Sequence, residues 1–173
     1  TVDVDTDGNG SGDLIGATLD AVALTVTNAS VSVSGVATLT VSGQLALARV
    51  SFIGVVEYTA LKMGAVTVSA STASAADFGL TGTLTVSRLD YNGAASGARL
   101  NWAAAFDLDE DGQHDDVLDQ SAALGLAPGT LAIGFGAGLE FALSGSATGS
   151  VVAGPVTVSL SNTGFALERR TVD

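Results

Sequence analysis

Apolar and polar residues alternate with period two along most of this chain, and this alternation constrains the fold more than any other feature. Successive side chains of a β-strand point to opposite faces, so the alternation predicts strands with one buried face. Glycines separate the rows, as expected for antiparallel strands joined by tight turns. The apolar rows include Val22, Leu24 and Val26; Leu39 and Val41; Leu45 and Leu47; Val66 and Val68; Leu84 and Val86; Leu100 and Trp102; Leu131 and Ile133; Leu139 and Phe141; and Val156, Val158 and Leu160. The sequence therefore predicts an all-β fold, either an elongated antiparallel β-sandwich or a stacked-sheet, solenoid-like module.

A short tetrapeptide recurs within these rows, with Leu or Val followed by Thr-Val-Ser or Thr-Val-Thr. Five copies begin at Leu24, Leu39, Val66, Leu84 and Val156. Either internal duplication or a composition rich in Val, Thr and Ser accounts for them.

Three local patterns predict departures from regular strands. The apolar phase shifts after Leu47 and after Val86, which predicts a β-bulge at each point. The Asn92-Gly93 pair is typical of a tight hairpin turn. Residues 116–124 form the one helix candidate, with Asp near its start and a glycine after its end.

Two runs of alternating aspartates, each followed by glycine, are the most specific chemical signal in the chain. Carboxylates at every second position before a glycine let a short loop direct its oxygens at one point, an arrangement that suits a hard cation such as Ca²⁺. In the first loop the predicted ligands are Asp3, Asp5, Asp7, Asn9, Ser11 and Asp13, with Gly8 at the turn. In the second loop they are Asp107, Asp109, Asp111, Gln113, Asp115 and Asp116, with Asp119 as an alternative last ligand and Gly112 at the turn.

These two segments resemble the DxDxDG calcium loops of EF-hands, dockerins, thrombospondin type 3 repeats and linkers of large bacterial surface proteins. The resemblance stops at the glycine, because the twelfth position holds Leu14 or Leu118 rather than Glu. The eighth position holds Gly10 or His114, and no long helix precedes either loop, so a helix-loop-helix sensor is not expected. In its strand composition the whole chain resembles modules of giant secreted bacterial repeat or adhesin proteins.

The composition limits the partners. Six Lys and Arg against 18 Asp and Glu give a net charge of −12, which disfavours nucleic acid and anionic lipid. The chain has no cysteine, so disulfides and thiolate sites are excluded. Only 14% of residues are charged and the mean hydropathy is +0.46, so we expect neighbouring molecules or modules to cover part of the surface.

Catalytic patterns are weak. His114 is the sole histidine and is expected to be a surface loop residue, and no G-x-S-x-G or phosphate-binding loop is present. Glu57, Glu140 and Glu168 leave a glycosidase pair as a third hypothesis, but we predict that the chain is not an enzyme.

Four segments follow from these patterns: a calcium-binding linker loop (1–13), a β-rich region (14–106), a second calcium-binding loop (107–119) and a β-rich region (120–173) that packs with the first as one module. We predict a structural repeat or protomer of an extracellular surface adhesin, fibre or coat that is stiffened by Ca²⁺ and contacts copies of itself or neighbouring modules. Millimolar extracellular Ca²⁺ fills weak loops, which favours this location. The alternative is a calcium-braced carbohydrate-binding module that binds glycan. Thr-Val-Asp both begins and ends the chain, so one unit of a tandem array with a period of 170 residues (173 − 3) is a further expectation.

Overall fold

The structure, a computed structural model, describes residues 1–33, 37–64, 66–72, 78–153 and 156–171. It is an antiparallel β-structure, so the all-β prediction is confirmed. The strands are β1 (Val2–Val4), β2 (Leu14–Val33), β3 (Ala37–Phe52), β4 (Val55–Met63), β5 (Val66–Thr72), β6 (Phe78–Ala94), β7 (Leu118–Asp119), β8 (Ala132–Ile133), β9 (Leu139–Ala153) and β10 (Val156–Arg170). No helix in these ranges is long and apolar enough to cross a membrane. Two residues of the terminal Thr-Val-Asp repeat, Val172 and Asp173, lie outside the described residues.

Eight strands form one long sheet in the order β1-β2-β3-β4-β6-β9-β10, and β5 pairs with β3 and β6. The two short strands β4 and β5 therefore share one position, end to end, between β3 and β6. The last two strands join the same sheet, because β9 pairs with β6 and β10 pairs with β9. Strands β7 and β8 form a separate two-stranded sheet.

The two faces of the long sheet differ in chemistry. The strand register places the predicted Leu and Val rows together on one face, which we call the apolar face. Its members include Val22, Leu24, Val26, Leu39, Val41, Leu45, Leu47, Leu61, Met63, Val66, Val68, Leu84, Val86, Leu89, Tyr91, Phe141, Leu143, Val156, Val158, Leu160, Phe165 and Leu167. All five tetrapeptide copies place their Leu or Val on this face and their central Thr on the other. The opposite face carries Ser and Thr at one end of the sheet, the outer half, and mainly Ala at the other end, the inner half.

Residues 95–138, which we call the covering segment, pack on the Ala-rich face of the inner half. The largest buried side chains come from this segment, and most of those that the sheet contributes are small. Contributors from the segment are Leu100, Trp102, Phe106, Leu118, Leu131 and Ile133, and contributors from the sheet are Ala17, Ala46, Ala48, Val50 and Ala60. Large residues against small ones allow close approach of the two layers, so the core lies here.

The sequence predicted the wrong buried face. The Leu and Val rows were expected to face the core, yet Val22, Leu24, Leu39, Leu47 and Leu84 are exposed on the apolar face. The covering segment selects the Ala-rich face instead, because only that face leaves room for Trp102 and its neighbours. Leu100 and Trp102, which were expected in a strand, belong to the covering segment.

The local predictions had mixed outcomes. The bulge after Val86 is confirmed by a register shift against β9. After Leu47 the register against β2 does not shift, but the register against β4 shifts between Val50 and Ser51, where Glu57 is the extra residue on β4. The apolar residues of β3 move there to the face that the covering segment buries. Asn92 and Gly93 lie inside β6 rather than in a turn. The expected helix over 116–124 is also wrong, since this stretch holds β7 and a 3₁₀ turn at Ala122–Leu124.

A buried amide joins the covering segment to the sheet. Asn92 on β6 is fully buried and donates from Nδ2 to the carbonyl oxygens of Leu100 (3.0 Å) and Gly136 (3.4 Å). Its Oδ1 accepts a hydrogen bond from the indole Nε1 of Trp102 at 3.0 Å. One side chain thus fixes two points of the covering segment and its largest core residue.

Replacing Asn92 tests this connection. We expect Asn92→Ala to lower the free energy of unfolding by about 2–4 kcal/mol, because the indole N–H and the Leu100 carbonyl would stay buried without partners. Urea denaturation with the Trp102 fluorescence as the signal measures the loss. Asn101→Ala is the matched control, since the Asn101 side chain makes no hydrogen bond with the described residues; equal losses in the two variants would contradict this role.

Candidate metal site

The two acidic loops lie side by side at the margin of the core. Val4, just before the first loop, forms an isolated antiparallel bridge with Phe106, just before the second. The Asp5 N–H donates to the Ala105 carbonyl at 3.0 Å, which reinforces the contact. Both Val4 and Phe106 are fully buried, so each loop starts from an anchored core residue.

In the first loop, Asp5 organises the backbone. Its buried carboxylate accepts the N–H groups of Asp7 (3.1 Å), Gly8 (2.7 Å) and Gly10 (2.7 Å). Asp13 closes the loop: its Oδ2 accepts the Thr6 N–H at 2.8 Å, and its own N–H donates to the Val4 carbonyl at 2.8 Å.

In the second loop, Asp107 has the corresponding role. Its carboxylate accepts the N–H groups of Asp111 (3.0 Å) and Gly112 (2.9 Å). Asp116 closes this loop, since its Oδ2 accepts the Leu108 N–H at 2.6 Å and its N–H donates to the Phe106 carbonyl at 3.1 Å.

When the two loops are aligned by these hydrogen bonds, which we call the hydrogen-bond frame, the matching residues differ from those matched by the DxDxDG motif. The structural counterpart of Asp107 is Asp5, not Asp3, and the first loop therefore reads Asp5-x-Asp7-x-Asn9-Gly10. Positive φ angles agree: Gly8 (78°) and Gly10 (83°) correspond to Glu110 (64°) and Gly112 (88°). The Asn9 N–H donates to Asp7 and the Ser11 N–H to Asn9, and the same two bonds recur at Asp109, Asp111 and Gln113. Asp3 lies outside the frame and accepts the Gly16 N–H at 2.8 Å.

Each loop brings three carboxylates together. One oxygen each of Asp5, Asp7 and Asp13 lie within 4.8 Å of one another, and so do those of Asp107, Asp109 and Asp116. Ligand oxygens about 2.4 Å from one Ca²⁺ are separated by at most about 4.8 Å, and the separations in both triads stay within this limit. The other predicted carboxylate ligands, Asp3, Asp111 and Asp115, are not among these triads. Asn9, Ser11 and Gln113 would add amide, hydroxyl or carbonyl oxygens and stay predictions. The alternative last ligand, Asp119, instead accepts the N–H groups of Ser121 and Gly129.

The two triads differ in electrostatics. Burial raises the pKa of the Asp5 carboxyl, but hydrogen bonds from backbone N–H groups, those of Gly10 and Gly8 foremost, outweigh burial and hold the pKa below its ordinary value. At Asp109 the backbone hydrogen bond from Asp111 lowers the pKa of the carboxyl. Desolvation and the neighbouring charges of Asp111, Asp116 and Asp107 raise it, and together they outweigh the hydrogen bond, so the pKa lies above its ordinary value. Repulsion in the second triad is thus less well compensated than in the first.

The sequence did not indicate a cluster of ion pairs on the inner half of the sheet. Asp90 is buried and lies 3.1 Å from the Lys62 ammonium and 2.6 Å from the Arg88 guanidinium. Arg88 also contacts Glu168 at 3.4 Å. The hypothetical glycosidase residue Glu140 pairs with Arg99 and Arg169. These carboxylates therefore serve ion pairs between strands and the covering segment.

His114 occupies the space beside both loops. It lines a depression together with Asp3, Asp107 and Glu110, and it is half-buried rather than a surface residue as expected. Neither ring nitrogen has a hydrogen-bond partner among the described residues.

Comparisons with protein-family models, with curated protein sequences and with solved structures found no match to this chain.

The pH dependence of stability tests the role of Asp5. Its pKa is lower in the folded chain than the value of about 3.9 expected when unfolded, so its stabilisation is complete well above pH 3.9 and is lost as the pH falls through the folded pKa. In chelator at pH 7 we expect Asp5→Asn to lower the free energy of unfolding by about 1–3 kcal/mol, and this difference should shrink at about pH 3.

Urea denaturation at both pH values measures this effect. Asp115→Asn is the matched control, because Asp115 is exposed and accepts no hydrogen bond from the described residues. We expect this variant to change stability by less than about 0.5 kcal/mol. A loss at Asp5 that does not depend on pH would contradict the role of its carboxylate charge.

Proposed function

We propose that this chain is a structural, non-catalytic β-sheet module of an extracellular surface adhesin, fibre or coat, and that Ca²⁺ bound in its two acidic loops stiffens it. The observation that carries the proposal is the repeated geometry: two loops far apart in sequence share one hydrogen-bond frame and each gathers three carboxylate oxygens within 4.8 Å.

The chemistry of the loops supports Ca²⁺ over other divalent ions. The candidate ligands are carboxylate, amide and backbone oxygens, without cysteine, and a flexible set of oxygens at 2.3–2.6 Å suits Ca²⁺ better than the smaller Mg²⁺. Two bound ions would reduce the net charge from −12 to −8 (−12 + 2 × 2). The three carboxylates of each triad repel one another without an ion, and a bound Ca²⁺ would attract all three.

The position of the loops supports a mechanical function. They meet at the Val4–Phe106 bridge, where the first strand and the covering segment join the core. Each loop returns to its own anchor residue, because the Asp13 N–H donates to the Val4 carbonyl and the Asp116 N–H donates to the Phe106 carbonyl. An ion bound in a loop would therefore hold both ends of that loop at the bridge. Calcium binding would thus lock the N-terminal strand and the covering segment onto the sheet.

Extracellular conditions agree with this proposal. Neither loop offers the bidentate Glu of a tight site, and weak loops with dissociation constants of about 10⁻⁴–10⁻³ M fill only where Ca²⁺ is millimolar.

Thermal denaturation with and without calcium tests the proposal. At one hundred times the dissociation constant, each filled site adds about 2.7 kcal/mol, which corresponds to a rise in Tm of about 5–10 °C for a domain of this size. We expect Asp109→Asn to remove about half of the total rise in calcium. In chelator the same variant should keep or slightly raise the Tm, because it relieves the repulsion that raises the Asp109 pKa.

Two controls separate metal binding from general charge effects. Glu110→Gln removes a charge from the same loop, but Glu110 is outside the triad, so the calcium-dependent rise should persist. Asp3→Asn should retain the rise as well, since the structural frame begins at Asp5. Calorimetry that detects no heat on calcium addition, or an equal loss for Asp3→Asn and Asp5→Asn, would overturn the site as drawn.

A further inference from the structure

The apolar face is left open by the described part of the chain. Its side chains are well exposed: Val22 is 55%, Val158 58%, Leu160 54% and Leu167 60% accessible. Soluble single chains rarely expose apolar patches larger than about 300–600 Å². A face of this kind therefore indicates a surface that another layer covers.

The size of the face matches a stable protein interface. Six strand positions, from β2 to β10, span about 24 Å at about 4.8 Å spacing. The pairing of β6 with β9 runs from Phe78 to Tyr91, and the 13 steps between these residues span about 43 Å. The face thus measures about 1,000 Å², whereas a stable interface buries about 800 Å² on each partner.

The edges of the sheet do not favour strand-to-strand addition. Both long edge strands contain a bulge: the register of β2 shifts between Val26 and Ala29, and that of β10 shifts between Leu160 and Thr163. Asn28 (φ 52°) and Asn162 (φ 46°) occupy these bulges. Bulges interrupt the row of free N–H and C=O groups and so protect edges against pairing. Contact through the face is favoured over contact through an edge.

The chemistry of the face fits a second copy of itself. In the described residues no charge interrupts the apolar rows, and the charged residues Asp20, Arg49 and Arg169 lie at the inner end of the face. Gly82 and Gly149 form the floor of a depression of about 330 Å³ that is walled by apolar side chains such as Leu84 and Leu160. An apolar side chain of an identical face would fill it. A membrane is a poor partner, because the net charge of −12 repels anionic lipid. Among the described residues, Arg49 and Arg169 lie at one end of the face and form no rim around it.

We propose that two copies of this chain pack apolar face to apolar face and thereby complete a two-layer β-sandwich. The layers would lie about 10 Å apart with strand directions about 30° apart, as in other aligned sheet pairs. The Ser and Thr residues of the outer half would remain solvated on the outside of each layer. This inference deepens the proposed function, because it rests on a structural module that assembles with its own copies, and it names the surface.

Sedimentation velocity of paired variants tests the proposal. We expect the wild type to sediment as a dimer of about 34 kDa (2 × 17.0) at micromolar concentration, in chelator and in calcium alike. Val158→Asp with Leu160→Asp should raise the dimer dissociation constant at least about 100-fold, since charges would enter an apolar interface. Thr157→Asp with Ser159→Asp is the matched control, because it adds the same charges to the same strand on the opposite face and should leave the dimer intact.

A second pair keeps the test independent of β10. Leu24→Asp on β2 should also dissociate the dimer and Thr25→Asp should not, while circular dichroism checks that all variants retain β-structure. A monomeric wild type at about 100 µM, equal behaviour of the two members of each pair, or dissociation by the opposite-face variants alone would overturn the proposal. Melting temperatures of the same samples in calcium and chelator report on the loops separately, so failure of the dimer and failure of calcium binding are distinguishable.

Discussion

The rest of the structure depends on the three hydrogen bonds of the buried Asn92 amide. Within the described residues the long sheet has no second full layer, and its core lies where residues 95–138 are held against it. Asn92 supplies that hold: its amide satisfies the Leu100 and Gly136 carbonyls, and it accepts from the Trp102 indole, the largest side chain of the core. A buried polar group is costly unless all its bonds are made, which means that this contact also fixes one register of the segment on the sheet.

The choice of buried face follows from side-chain volume. Trp102 and Phe106 lie 5.6 Å apart between ring centroids and need small partners, which Ala46, Ala48 and Ala60 provide on the sheet. A Leu or Val row at that place would hold the segment too far out for the Asn92 bonds to form. The bulkier rows are therefore displaced to the opposite face, and the covering segment leaves that face open.

The sequence predicted the class of the fold and the gathering of carboxylates in two loops, but not the arrangement of either. Period-two alternation predicts strands reliably, yet it does not say which face is buried when one face is rich in Ala and the other in Leu and Val. Asn92-Gly93 has the composition of a turn, but the tertiary bonds of Asn92 keep the pair inside a strand. In the first loop, both Asp3-x-Asp5-x-Asp7-Gly8 and Asp5-x-Asp7-x-Asn9-Gly10 match the sequence pattern. The hydrogen bonds that Asp13 makes with Val4 and Thr6 show that the loop begins at Asp5. The proximity of the two loops depends on the Val4–Phe106 bridge, which joins residues too distant in sequence for any local pattern to indicate.

The two proposed binding surfaces are far enough apart to act independently. The Asp3–Gly16 bond places the first loop at the start of β2, and the exposed apolar row of this strand begins at Val22, six residues further along. Six residues of extended chain span about 20 Å, whereas charges are screened beyond about 8 Å at physiological ionic strength. The carboxylate triads therefore contribute little repulsion between the outer halves of two stacked sheets. Calcium would set the rigidity of the inner half, and apolar burial would set the association of the outer half, so a module built in this way can be stiffened and assembled by separate physical forces.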